Sequence, residues 1–291
     1  MGIAEDFQTF LSKLAILDRS TISARYRRIT NRLNKDFWGY DSEVNNSLYV
    51  GSYGRDTAIS GFSDLDMIFE LPAALYYKFD KYTVNGQSAL LQEVRSSLQK
   101  TYSTSHVGAD GQIVEISFDD GKTFEIVPAF LNKQNSYTYP DTNNGGSWKT
   151  TDPKPEIFAI NELDKQVNSN LKRLCKMARS WKRQWNVPIG GLLIDTLAYK
   201  FIQGWEYRFK SYYYYDFLSR DFFKFLADQN SSQSYWYAVG SNQIVWRKGN
   251  FEYSAKRCYN IACEAITSAV NGYHYTANQK WREIYGTSFP V

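Results

Sequence analysis

The hydrophobic periodicity of this 291-residue chain changes once, near residue 150, and that change restricts the fold more than any other feature. Before it, apolar residues come in short β-rich runs. These are Leu48-Tyr49-Val50, the segment SDLDMIFEL over 63–71, and the runs IVEISF and TFEIVPAF on either side of Asp119-Asp120-Gly121-Lys122. The last two predict a hairpin. Helices accompany them: Ile22, Tyr26, Ile29, Leu33 and Phe37 recur at helical spacing, and Leu90, Leu91, Val94 and Leu98 give the apolar face of a short helix over 88–100. Residues 132–156 are rich in Asn, Thr, Ser, Gly and Pro and read as a polar loop and a boundary. Beyond it, Val167, Leu171, Leu174, Ala178, Trp181 and Trp185 step by three and four, which predicts a long amphipathic helix. More helix is expected at 191–205, 216–229 and 254–271. The sequence therefore predicts an α+β chain, with a β-containing lobe over 1–155 that includes the N-terminal helices and a helical lobe over 156–291.

Composition removes several classes. With 43% hydrophobic and 22% charged residues the chain is globular rather than disordered. No run approaches the roughly 18 apolar residues of a membrane span. The first twenty residues intersperse charges among apolar positions, unlike a secretion signal, so a cytoplasmic location away from membranes is expected. Three cysteines without a CxxC spacing and only two histidines give no material for a disulfide framework, a zinc ribbon or His-driven catalysis. A net charge of +4 is too mild to imply bulk nucleic-acid binding.

Asp64 and Asp66 form the only D-x-D in the chain and open an apolar strand. Two residues apart on a strand, their side chains share one face. Two carboxylates that close repel and call for a cation, and Mg²⁺ is the natural one, binding through one or two carboxylates together with substrate phosphates. Thirteen residues earlier, Gly51-Ser52 ends the run Leu48-Tyr49-Val50. Glycine lets backbone approach a phosphate, and the Ser hydroxyl and adjacent amides can donate to its oxygens. A third carboxylate would complete a two-metal site. Glu125 stands alone in an apolar strand, on the face opposite Phe124 and Ile126, and a lone acid there is costly unless paired or metal-bound. Glu115 is the rival for that role.

The segment GSYGRDTAISGFSDLDMIFELP resembles the signature of the DNA polymerase beta-like nucleotidyltransferases. It is most similar to the bacterial cyclic-oligonucleotide synthases of antiphage defence, relatives of cyclic GMP-AMP synthase and the oligoadenylate synthases. The matching residues are Gly51-Ser52-Tyr53-Gly54-Arg55-Asp56-Thr57, Ser63-Asp64-Leu65-Asp66, and Glu125 where many relatives have Asp. The resemblance is tight over 51–72 and loose elsewhere. It implies a nucleotidyltransferase lobe with a mixed β-sheet plus a C-terminal helical lobe, with the active site in the cleft between them.

Lys165 to Arg183 contains seven basic residues and no acid, a charge of +7 against +4 for the whole chain. Lys172, Lys176, Arg179 and Arg183 share a helical face. Charge-assisted contacts of this kind suit a triphosphate. By resemblance, Arg179 occupies the slot that holds the donor triphosphate, with Lys176 and Lys182 as neighbours. At the start of the next helix, Gly190 and Gly191 stand where relatives often have Ser or Tyr. The run Tyr212–Tyr215 offers either base-stacking rings or core packing.

The expected chemistry is two-metal nucleotidyl transfer. Asp64, Asp66 and Glu125 would be the catalytic metal ligands, for Mg²⁺ or Mn²⁺. Gly51, Ser52, Lys176, Arg179 and Lys182 would hold the triphosphates of ATP, GTP or a pyrimidine nucleotide. The implied product is a cyclic dinucleotide second messenger, read by a downstream effector, with no zinc-dependent DNA sensing. Two other readings fit the same residues: a polymerase-like or tagging transferase acting on RNA, protein or a small molecule, and a non-catalytic nucleotide-binding partner.

Overall fold

The computed structural model describes residues 2–61 and 64–291. Ser63 of the Ser-Asp-Leu-Asp motif lies outside the described residues. The chain begins with α1 (Ile3–Leu14) and α2 (Arg19–Leu33), the latter prolonged by a π-helical turn over Asn34–Trp38. β1 (Ser47–Tyr49), the single-turn α3 (Gly51–Gly54) and β2 (Leu65–Glu70) follow. Next come α4 (Ala73–Asp80), α5 (Gly86–Gln99), β3 (His106–Asp110), β4 (Ile113–Ser117) and β5 (Thr123–Leu131). After β6 (Tyr137–Asp141) and β7 (Ser147–Thr151) the chain turns helical. This part holds α6 (Pro153–Gln166), α7 (Asn170–Gln184), α8 (Gly191–Gly204) and α9 (Tyr215–Ala227). A small hairpin of β8 (Tyr235–Tyr237) and β9 (Ile244–Trp246) precedes α10 (Glu252–Val270) and α11 (His274–Tyr285).

Two compact units emerge, and they do not follow a single cut near 155. One comprises residues 17–54 and 61–153; the other comprises 1–16, 55–60 and 154–291. In the first, a mixed sheet runs β1-β2-β5-β4-β3, with β6 on the far end of β5 and β7 beside β6. β2 and β5 are parallel and the other pairs antiparallel. The period of two sorts the side chains. Leu65, Met67 and Phe69 of β2, Phe124 and Ile126 of β5, and Val114 and Ile116 of β4 are buried together with Leu90, Leu91, Val94 and Leu98 of α5.

Residues 137–151, read from the sequence as loop, form the β6–β7 hairpin instead. Their polar composition reflects exposure rather than irregularity, since Ser147, Lys149 and Thr150 of β7 face solvent. Asp141 ties the turn by accepting the backbone N–H of Asn143 at 3.0 Å.

In the second unit, α7 begins at Asn170 rather than Val167. Asn168 and Ser169 take positive φ of 56° and 59°, which ends α6 and restarts the helix in a new direction. Leu171, Leu174, Ala178 and Trp181 of α7 are buried among Leu193 and Leu197 of α8 and Phe222 and Phe223 of α9. α1 belongs to this helical unit. Phe7 meets Trp281 and Phe289 edge-on at 5.2 and 5.1 Å, and Asn278 donates to Asp6.

Candidate active site

The register of the sheet sets three carboxylates side by side. Asp66 stands opposite Glu125 across the parallel pair, and Glu125 stands opposite Glu115 across the antiparallel one. The core residues on either side of each acid point the other way, so the row lies on the sheet face away from α5. β5 has a strand on both sides, so Glu125 does not lie on a sheet edge. Asp64, exposed, precedes Asp66 by one strand repeat.

This crowding is felt at Glu125. Burial, then the charges of Asp66 and Asp64, then a hydrogen bond with Asp66, push its carboxyl up to about 7; Glu115 adds the smallest contribution. The Glu115 carboxylate is itself engaged, accepting the Ser117 hydroxyl at 2.6 Å. The structure thus couples Glu125 more closely to Asp64 and Asp66 than to Glu115.

Gly51 closes the site from the side of β1. Its φ is +59°, a conformation that costs any residue with a Cβ. A Cβ built there would lie 1.8 Å from Asp66 Oδ2, so the carboxylate rests directly on the glycine. The chain then makes the one turn of α3, with the Gly54 N–H donating to the Val50 carbonyl at 2.8 Å. Tyr49 braces the entry, stacked on Tyr26 at 3.8 Å and tilted against Tyr53 at 4.7 Å. Val50 and Asp66 are tied by a backbone hydrogen bond of 2.9 Å, which fixes Gly51-Ser52 beside the D-x-D strand.

The donors at this site are all anionic oxygens, the ligand type that Mg²⁺ and Mn²⁺ take. Among the described residues no three His, Cys, Asp or Glu side chains form a preassembled metal cluster. The charges of Asp66 and Asp64 instead raise the Glu125 carboxyl, and a divalent cation would offset them. The donor set fits such a cation on charge and chemistry.

In the helical unit, the residues that follow α3 are held by a buried charge network. Asp195 of α8 is fully buried and accepts from Arg55 Nε at 2.8 Å, Thr57 Oγ1 at 3.1 Å, and both Arg179 Nη atoms at 2.6 and 2.9 Å. Burial alone would raise its pKa, but Arg179 and Arg55 hold the carboxyl well below the usual range. Arg55 also reaches Glu156 at 3.4 Å. Sequence reasoning put Arg179 on phosphate. Its side chain is 7% exposed, and beyond Asp195 it donates to the carbonyls of Cys175 and Gly191, so this guanidinium holds protein rather than facing solvent. Asp195 was missed. Its signal was a lone acid in the apolar helix GLLIDTLAYKFI, which must be paired if buried.

The neighbouring lysines are placed differently. Lys176 and Lys172 converge on Asp56, at 3.4 and 3.6 Å. Lys182 is half-buried; burial, then Lys248 and Arg179, depress its pKa, and among the described residues neither Lys182 nor Lys248 has an ion pair. Of the tyrosine run, Tyr215 is buried and Tyr213 is exposed.

A mixed sheet with an Asp-x-Asp strand paired to a third acidic strand, entered through a Gly-Ser turn and accompanied by a helical region, is the nucleotidyltransferase fold. Residues 1–164 match the Second Messenger Oligonucleotide or Dinucleotide Synthetase domain, and the chain belongs to that family of nucleotidyltransferases. A Bacillus cereus (strain VD146) protein named as a probable cyclic nucleotide synthase is 22% identical over 274 residues, covering 82% of this chain and 81% of that protein. CdnC of Escherichia coli MS115-1, solved in complex with HORMA-deltaN, superposes with a TM-score of 0.72 at 15% identity, over 99% of this chain and 98% of that one. CdnG of Bradyrhizobium diazoefficiens, solved with GTP, gives 0.69 at 11% identity, over 97% and 94%. CdnE of Elizabethkingia meningoseptica, a cyclic dinucleotide synthase solved with GTP and Apcpp, gives 0.63 at 14% identity, over 88% and 97%. At these identities the structural likeness establishes the fold.

Among the described residues no helix is long and apolar enough to cross a membrane.

Proposed function

We propose that this chain joins ribonucleoside triphosphates into a cyclic dinucleotide by metal-assisted nucleotidyl transfer, with Asp64, Asp66 and Glu125 as the metal ligands. The observation that carries the reading is the acid row itself. Glu125 stands opposite Asp66 in the strand register, and Asp66 rests on a glycine that admits no side chain. Such a concentration of negative charge is a liability without a cation, and two Mg²⁺ or Mn²⁺ ions, when bound, would acidify the attacking ribose hydroxyl and neutralise the departing pyrophosphate.

The chain's own residues do the rest. Asp64 and Asp66 hold the cations from adjacent positions on one face. Glu125 would complete the ligand set. Gly51 and Ser52 cradle the β- and γ-phosphates. Lys176 and Lys182 add cationic contacts, whereas Arg179 positions the Arg55–Thr57 segment through Asp195. ATP, GTP or a pyrimidine triphosphate is the substrate, and the linear intermediate is turned over for a second transfer. The relatives' solved complexes with GTP and Apcpp, and with GTP alone, support that substrate class. The product would act in the cytoplasm as a second messenger for an effector in antiphage defence.

The test is to incubate the purified protein with all four ribonucleoside triphosphates and Mg²⁺ or Mn²⁺, treat with phosphatase, and analyse the survivors by mass spectrometry. A phosphatase-resistant cyclic product, absent from the Asp64→Asn/Asp66→Asn variant, is the expected result. A labelled RNA, protein or small molecule without a cyclic product would favour a tagging transferase. Nucleotide binding without turnover under every condition would favour a non-catalytic partner.

A further inference from the structure

Asp56 is a half-exposed acid on the segment that the buried Asp195 holds. It lies between Arg55 and Thr57, and both of those are already anchored on the buried Asp195. Its own carboxylate is about half exposed and faces the ammonium groups of Lys172 and Lys176, one turn apart on α7. The contacts are long, 3.4 and 3.6 Å, and partly exposed pairs of this kind contribute little to stability. Asp164 accepts the backbone N–H of Lys172 at 2.9 Å, and Arg173 donates to the Asn168 carbonyl and the Tyr215 hydroxyl. Asp56 also has a φ of +53°, which Asn tolerates as readily as Asp, so the carboxylate charge is not dictated by the backbone. A phosphate chain brings more negative charges and acceptor oxygens to the same two cations than one carboxylate supplies.

We infer that Asp56 is an internal competitor for phosphate. It occupies Lys172 and Lys176 in the free protein, yields them to the triphosphate, and retakes them as pyrophosphate leaves. This rests on the reading of Lys176 as a triphosphate contact. It adds Lys172 to that contact and assigns Asp56 the role of setting how tightly phosphate is held. The occupant class is a polyphosphate chain, recognised by charge, with no demand on the base. A carboxylate at this position therefore weakens retention of product as well as of substrate.

The direct probe is pyrophosphate itself. Its binding to wild-type protein, Asp56→Asn, and Lys172→Met/Lys176→Met is measured by calorimetric titration with Mg²⁺ present, alongside KM and kcat for the triphosphates and the melting temperature of each variant. Asp56→Asn should bind pyrophosphate about three- to tenfold more tightly, lower KM by a similar factor, and lower kcat if product release limits turnover. The double lysine variant should bind more weakly, and adding Asp56→Asn to it should change nothing further. Unchanged or weaker pyrophosphate binding in Asp56→Asn, with wild-type turnover intact, overturns this inference alone. A fall in melting temperature together with weaker binding shows a structural tie only and also overturns it. If the wild-type protein binds neither pyrophosphate nor any nucleoside triphosphate, the inference falls together with the proposed function.

Discussion

Burial raises the carboxyl pKa at two sites of this protein, yet the two end on opposite sides of the ordinary range. Glu125, only half-buried, has its pKa pushed up to about 7, whereas Asp195, with no exposed surface, is held well below the ordinary range. The difference lies in the neighbours. Glu125 is flanked by the carboxylates of Asp66, Asp64 and Glu115, while Asp195 receives two guanidinium groups and a hydroxyl. Burial and like charges act together at Glu125, whereas at Asp195 the guanidinium groups outweigh burial. A site left unbalanced is poised to take a ligand, and a site already balanced is built to hold its shape.

The contrast is most sharply broken by making one chemical change at both sites. Asp66→Asn should abolish turnover, by on the order of a thousandfold, with little loss of stability, because it relieves repulsion in the acid row. Asp195→Asn should do the reverse, destabilising the fold by about 3–5 kcal/mol by leaving buried guanidinium charge unmatched. Thermal unfolding and product formation, read on both variants, decide the matter; a lowered melting temperature in Asp66→Asn would contradict the picture.

Gly51→Ala tests the geometry of the unbalanced site. With a Cβ 1.8 Å from Asp66 Oδ2, the carboxylate must move, and turnover should fall about a hundredfold while the folded protein survives. Restored activity on adding a larger cation would show which distance had been lost.

A smaller effect is expected from pH. In the cation-free protein Glu125 titrates near 7 instead of its ordinary 4.5, so across that window the folded state keeps a proton that the unfolded chain has released. Stability should therefore decline as pH rises from about 5 to about 8, and added Mg²⁺ should raise the melting temperature more at about pH 8 than at about pH 5. Melting curves with chelator and with Mg²⁺ measure both. The smallest change is Thr57→Val, which removes one donor to Asp195 and should cost about 0.5–1.5 kcal/mol with KM unaltered.

The unbalanced site was largely legible in the sequence, and the balanced one was not. A strand's period of two fixes which side chains share a face, so Asp64, Asp66 and Glu125 could be placed on the non-core side from their apolar neighbours alone. Pairing between distant segments has no such local rule. The contact of Arg55 with Asp195 spans 140 residues, and nothing near either residue names the other. Arg179 was assigned by resemblance to the donor triphosphate, but its guanidinium pairs with the acid on the next helix. The β6–β7 hairpin escaped notice because exposed strands lose the apolar alternation on which the reading depends. α1 was assigned by its position in the chain, although Phe7 and Phe10 belong with the aromatic residues near the other end.

The chain's route has a consequence for modularity. Residues 55–60 group with the helical unit, while the stretches on both sides of them group with the sheet. The recognisable family segment, residues 1–164, is thus not a separable part. Cut free, it would leave Arg55 without its carboxylate and Phe7 without Trp281. Neither portion can be exchanged between relatives as a cassette. Hybrids should keep their solubility only when α1, the Arg55–Ser60 passage and everything after Pro153 come from one parent, so inheritance in this protein runs by networks of contact and not by stretches of sequence.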